Sequence, residues 1–298
     1  MSSIGPRLIE PGSAADPLVA VRSDFWNFNG LGFYDGEEAC VIDPGIRRED
    51  IELLGTRLRW AGGRTSPRRI TKVLVTHSHH DHFRGWDSFP GAEVILPRVA
   101  ADKAATPRRR ILAAKSAVDD RLGEVHEGFR YPNAYPIFDE RLSLQVGSRE
   151  VELRFLPGHS DCTSVVWIPS LRTLCTADYL VSPGLPYCRW DADAFDAALD
   201  TLTRWTQEEG IERVWPAHNA PILGNAAILA AIDADRRVMQ ALRERAHEVH
   251  ASGLDGLEAA RAVSENMDGV RGWEAGVQRR QDVDNARRVL AAVAASSA

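Results

Sequence analysis

Seven consecutive residues, Thr76 to His82, read T-H-S-H-H-D-H and hold four of the chain's nine histidines together with an aspartate. An aliphatic run, Ile70, Val73, Leu74 and Val75, leads into them, so the histidines emerge where a buried strand ends and its loop begins. Loops carried on such a scaffold commonly hold sites. In extended or loosely coiled backbone alternate residues point the same way. His77 and His79 can therefore converge on one ion while Asp81 and His82 turn toward a neighbouring position, which suggests two adjacent metal sites. A solvated polar loop is the plainer alternative, but adjacent imidazoles repel one another once protonated. Imidazole and carboxylate donors suit zinc, iron, manganese or cobalt and discriminate poorly among them.

The 298 residues and formal charge of -6 bound the rest. The length fits one α/β domain with an extension, or two small domains. An acidic balance offers no field for a polyanion, so nucleic acid is not expected as a partner. The run Arg108, Arg109, Arg110 reads as the exposed face of a helix rather than a phosphate site. Met1 to Leu18 lacks a continuous apolar segment, no stretch approaches a membrane span, and a cytoplasmic location is expected. Cys40, Cys162, Cys175 and Cys188 show no C-x-x-C spacing and fit reduced thiols, with Cys40 and Cys175 in apolar runs and Cys162 and Cys188 near the expected site.

Strand signals open the chain at 18–21, 25–33 and 39–42, ending at the turn Asp43-Pro44-Gly45. Another follows at 94–96, and residues 98–130 read as a charged helical insertion or lid. Val151, Leu153 and Phe155 alternate with Glu152 and Arg154 as in a half-buried strand, and 163–168 and 173–177 flank a hairpin turn at 169–172. Phe195, Ala198, Leu199, Leu202 and Trp205 mark an amphipathic helix. Residues 223–298 read as a helical C-terminal extension, its final helix marked by Ala286, Val289, Leu290 and Val293, that could close over the site or support a homodimer.

Three further segments place a potential ligand just after a strand-like run: Leu156-Pro157-Gly158-His159, Thr176-Ala177-Asp178-Tyr179 and Trp215-Pro216-Ala217-His218. Each is weak alone, but with H-x-H-x-D-H before them the ordered set resembles the metallo-β-lactamase-fold hydrolase superfamily over residues 18–222. The resemblance implies an α/β fold, an αβ/βα four-layer sandwich, with residues 1–222 as catalytic domain and the extension packed on it. It also implies a binuclear site in which His77, His79 and His159 hold one divalent metal, Asp81, His82 and His218 a second, and Asp178 bridges them. Zn2+ is the first expectation, with Mn2+ or iron compatible. Asp43 matches a position that supports the ligands by hydrogen bonding, and it reads equally well as a turn residue beside Pro44.

Two such cations lower the pKa of a shared water and polarise the bond under attack, with Asp81 placed to orient the hydroxide and move its proton. True β-lactamases of this superfamily lack the bridging aspartate, so Asp178 turns the expectation toward glyoxalase II-type thioesterases, lactonases and related hydrolases of small esters. The bulk of Phe83-Arg84-Gly85-Trp86, where several relatives carry a Gly-rich turn, suggests a different pocket wall. Tyr179 follows the bridging position, where it could support a substrate oxygen or serve the core. Tyr187 and Arg189 lie on a segment that runs toward the site mouth in relatives. Arg189 could clamp an anionic group or pair with Asp191 or Asp193. The alternatives are an iron-dependent sulfur dioxygenase of the same fold, or a metal-binding regulatory protein without turnover.

Overall fold

The structure, a computed structural model, describes residues 5–265 and 279–296. The chain forms two compact units: Met1–Phe155 with Ser164–Ala177 and Ala217–Asn219, and Leu156–Thr163 with Asp178–Pro216 and Ala220–Ala298. Its strands fall into two sheets of seven and six.

In the first unit the seven strands lie side by side in chain order: β1 (Arg7–Pro11), β2 (Leu18–Arg22), β3 (Asn29–Asp35), β4 (Glu38–Ile42), β5 (Arg69–Leu74), β6 (Glu93–Pro97) and β7 (Ile137–Phe138). β1 to β4 pair antiparallel, and β4 to β7 pair parallel. Parallel neighbours need a crossover. Helix α1 (Arg48–Trp60) supplies the first one, burying Ile51, Leu54 and Leu58 on one face, with Asp50 accepting the Arg47 amide at its start. It lies so close to β3 that a Cβ on Gly32 would stand 2.7 Å from the Leu58 side chain and 2.5 Å from the Cys40 carbonyl. Only glycine fits there.

Register decides where the histidines go. Ile42 pairs with Leu74, and Leu74 with Ile95, so parallel strands β4 and β5 end level with one another, while β6 runs two residues further. Asp43 and Thr76, each just past a strand, therefore share one sheet edge. The carboxyl ends of parallel strands are where α/β folds place ligands.

Of the 98–130 stretch expected to be helical, α3 (Arg98–Ala101) and α4 (Ala105–Leu122) are, with Arg109 and Arg110 exposed, whereas 123–130 is not. Gly123 ends α4 in the left-handed conformation, φ 66°. Strands β8 (Arg141–Val146), β9 (Arg149–Phe155), β10 (Ser164–Ile168) and β11 (Thr173–Ala177) follow as an antiparallel meander. The expected alternation in β9 fails in burial: Glu152 and Arg154 are buried too, and pair at 2.7 Å. A charge is tolerated on a buried strand when its partner is buried beside it.

The second unit contains α5 (Ala192–Glu208), capped by the Asp191 side chain on the Ala194 amide, and the paired strands β12 (Arg213–Pro216) and β13 (Ile222–Leu223). Among the described residues of the extension are three helices: α6 (Asn225–Ala251), α7 (Gly256–Ser264) and α8 (Arg279–Ser296). Ile228, Ile232, Val238, Met239 and Leu242 of α6 and Ala286, Val289 and Val293 of α8 are buried, so the final helix has its expected apolar face. Among the described residues no helix is long and apolar enough to cross a membrane.

Candidate metal centre

Thr76 links the end of β5 to the site. Its carbonyl accepts both the amide and the hydroxyl of Ser164 at the start of β10, at 2.9 and 2.7 Å. Its own amide and hydroxyl donate to the Asp43 carboxylate at 2.9 and 2.7 Å. With its proton given to Asp43, the Thr76 oxygen is an acceptor for His77 Nδ1 at 3.1 Å. His77 therefore carries its proton on Nδ1 and presents the Nε2 lone pair to His79 Nδ1, 2.9 Å away.

The same bookkeeping fixes three more imidazoles. His82 Nδ1 donates to Asp43 Oδ2 at 2.8 Å, His218 Nδ1 to the Trp26 carbonyl at 3.0 Å, and His159 Nδ1 to the Tyr187 carbonyl at 2.6 Å. In neutral imidazole this leaves Nε2 as the lone-pair atom. Those nitrogens face carboxylate oxygens: His218 Nε2 lies 3.5 Å and His82 Nε2 3.9 Å from Asp81 Oδ2, and His159 Nε2 lies 3.2 Å from Asp178 Oδ2. Lone pair faces lone pair. Protonating every ring would relieve this only by setting imidazolium charges side by side, since the His77 and His82 ring centroids are 3.9 Å apart.

A cation resolves the conflict, and the donor set of imidazole nitrogens with carboxylate oxygens fits a divalent one. Two groups have the required closeness: His77, His79, His159 and Asp178, and Asp81, His82 and His218. Within each, one ligand atom per residue lies within 4.8 Å of the others. All seven residues expected from the sequence as ligands fall in these two groups.

Asp43 sits at a turn and also makes buried hydrogen bonds. Its backbone is left-handed at the turn, φ 44°, and its carboxylate binds Thr76 and His82.

Tyr179 differs from the substrate-supporting role considered for it. The side chain is fully buried, donates to the Leu156 carbonyl at 2.8 Å and accepts the His159 amide at 3.1 Å. It braces the backbone of the His159 loop, and burial holds its pKa above the ordinary tyrosine value. The Arg189 guanidinium donates to Gln281 at 3.3 Å rather than to Asp191 or Asp193; Asp191 caps α5 and Asp193 pairs with Arg243. Tyr187 contributes its carbonyl to His159, and burial followed by the nearby Asp178 charge raises its phenol pKa.

Trp26, Asn27 and Phe28 carried no sequence signal for the site. Trp26 and Asn27 adopt consecutive left-handed conformations, φ 59° and 50°, uncommon for non-glycine residues. That bend turns the Trp26 carbonyl to His218 and the Asn27 carbonyl to the Asn219 amide. Phe28 is fully buried and presents its ring edge-on to both His82 and His218, centroids 5.2 Å away. Non-glycine left-handed residues also flank the acidic position, at Ala177 (φ 51°) and Leu180 (φ 59°). Such backbone concentrates where function over-determines it.

Phe83-Arg84-Gly85-Trp86 proves to be an anchor. Arg84 is buried and donates to the Ile46 and Lys115 carbonyls and, at 2.5 Å, to Asp119, which also accepts Lys115. Phe83 stacks on Phe129 at 5.8 Å. The bulk that distinguishes this segment ties the short helix α2 (His80–Phe83) to α4.

Among solved structures the chain is similar to a metallo-beta-lactamase from Pontibacter korlensis, with 15% identity, TM-score 0.54, and coverage of 78% of this chain and 99% of that one. A metallo-beta-lactamase family protein from Thermus thermophilus matches with 18% identity, TM-score 0.60, and coverage of 99% and 94%. The inverting sec-alkylsulfatase Pisa1 from Pseudomonas sp. matches with 17% identity and TM-score 0.67 over 96% of this chain, which spans about half of that protein, 49%. At these identities the likeness speaks for fold alone. No match emerged among curated proteins. The metallo-beta-lactamase superfamily model matches residues 32–238, well over half the sequence, including both histidine groups and the Asp43 support. The two sheets, the order of the elements and this match agree, and the chain belongs to the metallo-beta-lactamase superfamily.

Proposed function

We propose that this protein is a binuclear metal-dependent hydrolase acting on a small ester, lactone or thioester. The observation that carries the reading is the orientation of His82 and His218. Both have Nδ1 committed, to Asp43 and to the Trp26 carbonyl, and both direct Nε2 toward Asp81. Family membership and the group of His77, His79, His159 and Asp178 support a metal-dependent hydrolase type of chemistry.

Two divalent cations, with zinc the first choice, would make hydroxide available near neutral pH and polarise the bond under attack. In this reading His77, His79 and His159 would hold one, Asp81, His82 and His218 would hold the other, and Asp178 would be available to either. Asp81 orients the attacking water and takes its proton. Asp43 keeps His82 in the tautomer with Nε2 deprotonated, and Thr76 does the same for His77. Phe28, fully buried against His82 and His218, excludes water from the back of those rings.

The test is metal analysis of protein purified without added metal, with the same sample assayed on lactones, thioesters, phosphodiesters and β-lactams. About two zinc or manganese ions per chain, with ester or lactone hydrolysis lowered roughly 10²- to 10⁴-fold by Asp81→Ala, is the expected result. One iron per chain with oxygen uptake on a persulfide and no hydrolysis would overturn the reaction assignment.

A further inference from the structure

Besides the Tyr179 hydroxyl on its amide, His159 is held by the 184–189 loop. Its Nδ1 donates to the Tyr187 carbonyl at 2.6 Å, and its own carbonyl accepts the Arg189 amide at 3.1 Å, so residues 187–189 hold its ring and one side of its backbone. That loop is in turn held by helices α6 and α8. Asp235 of α6, almost fully buried, accepts the Gly184 amide at 2.7 Å. Asn285 of α8, fully buried, donates to the Pro186 carbonyl at 2.7 Å and accepts the Cys188 amide at 3.1 Å, one bond on either side of Tyr187. Gln281, one turn earlier, donates to the Pro186 carbonyl at 3.4 Å and to Asn285 at 3.1 Å, and accepts from Arg189 at 3.3 Å.

Buried irregular backbone needs hydrogen-bond partners, and any polar residue could have met that need. These side chains do more. They bracket the one carbonyl that sets the His159 tautomer, and they do so with an amide whose donor and acceptor ends reach opposite sides of it. Pro186 cannot donate and Tyr187 turns its carbonyl to His159, so the loop has few other handholds. Moving Pro186 or Cys188 by a fraction of an ångström would move the Tyr187 oxygen and rotate the imidazole it holds.

We propose that Asn285, with Gln281 and Asp235, positions His159 for metal binding, so that the C-terminal helical extension is a working part of the metal centre. The proposal rests on the reading of His159 as a ligand. Asn285 touches no substrate and acts through the Tyr187 carbonyl; it is a positioning residue.

The experiment uses the full chain stripped of metal, with Zn2+ affinity measured by competition with a chromophoric chelator and coordination read from the visible absorption of the Co2+ form. Asn285→Ala is compared with Asn285→Asp, which keeps the acceptor for Cys188 but loses the donor to Pro186, and with Arg287→Ala on the exposed face of the same helix. The expected result is a Zn2+ affinity about 10- to 100-fold lower in Asn285→Ala with an altered Co2+ spectrum, an intermediate loss in Asn285→Asp, and none in Arg287→Ala. Should Asn285→Ala fail to fold by circular dichroism, Gln281→Ala takes its place, with a smaller loss expected. A folded Asn285→Ala or Gln281→Ala that binds Zn2+ and absorbs as Co2+ protein like the parent overturns the proposal. His159→Ala separates the two levels. If it weakens Zn2+ binding and the α8 variants do not, the positioning role alone fails; if it changes nothing, the ligand reading fails and takes the positioning role with it.

Discussion

Asp43 Oδ2 and His82 Nδ1 meet at 2.8 Å with both residues buried, one just past β4 and the other 39 positions later in α2. The same carboxylate binds the amide and hydroxyl of Thr76, so one side chain aligns the segment that carries four histidines. Asp43→Ala leaves three buried donors without this acceptor. A Zn2+ affinity roughly 10- to 100-fold lower is expected, measured by chelator competition, with folding retained. Parent-like affinity would reduce Asp43 to a turn residue.

Tyr179→Phe tests the bracing role. Removing the hydroxyl leaves the Leu156 carbonyl and the His159 amide without that partner, at a cost of about 1–3 kcal/mol in urea unfolding. Turnover at saturating metal should change little. A large fall in kcat with unchanged stability would instead give Tyr179 a part in the chemistry.

Arg84→Met breaks the buried cluster with Asp119 and Lys115 and is expected to destabilise the protein by about 3–5 kcal/mol. Adding Asp119→Leu should not recover that loss, because the buried Lys115 ammonium then loses its only carboxylate partner in the cluster. A single substitution without effect on the unfolding midpoint would show that the anchor is dispensable.

All four cysteines are buried and reduced, and burial raises the Cys40 thiol pKa and pushes that of Cys188 up to about 12. A thiol reagent at neutral pH should label none in the folded protein and four after denaturation. Rapid labelling of Cys188 in the native state would mean that the 184–189 loop opens.

Asp235 carries a pH signature. Burial raises its carboxyl from the ordinary value of 3.8 to about 7, against the opposing pull of the Gly184 and Leu185 amides. A folded pKa above the unfolded one favours the protonated fold. Its contribution is therefore full below about pH 3.8 and is lost as pH rises through about 7. Asp235→Asn should flatten the fall in urea stability as pH rises through that window; an unchanged slope would place the titration elsewhere.

The sequence by itself determined the parts whose signal is local. T-H-S-H-H-D-H follows a strand, Pro157-Gly158 precedes His159, and Asp43-Pro44-Gly45 makes a turn; spacing and residue chemistry suffice to mark these as candidate ligands and supports. The amphipathic patterns of α5 and α8 were equally legible, because burying one face of a helix leaves a period in the chain. Short strands β1 and β13 left no such mark, at 5 and 2 residues.

What only the tertiary structure decided is which atoms meet. Tautomers depend on partners far along the chain: His218 on Trp26, His82 on Asp43 and His159 on Tyr187. No period or spacing encodes a hydrogen bond across 192 positions. Nor could residue type show that Arg84 is buried on Asp119, or distinguish a Tyr179 that faces substrate from one that braces a loop. Those choices were settled by burial, because a polar group removed from water takes the partner within its reach, and reach is set by the fold.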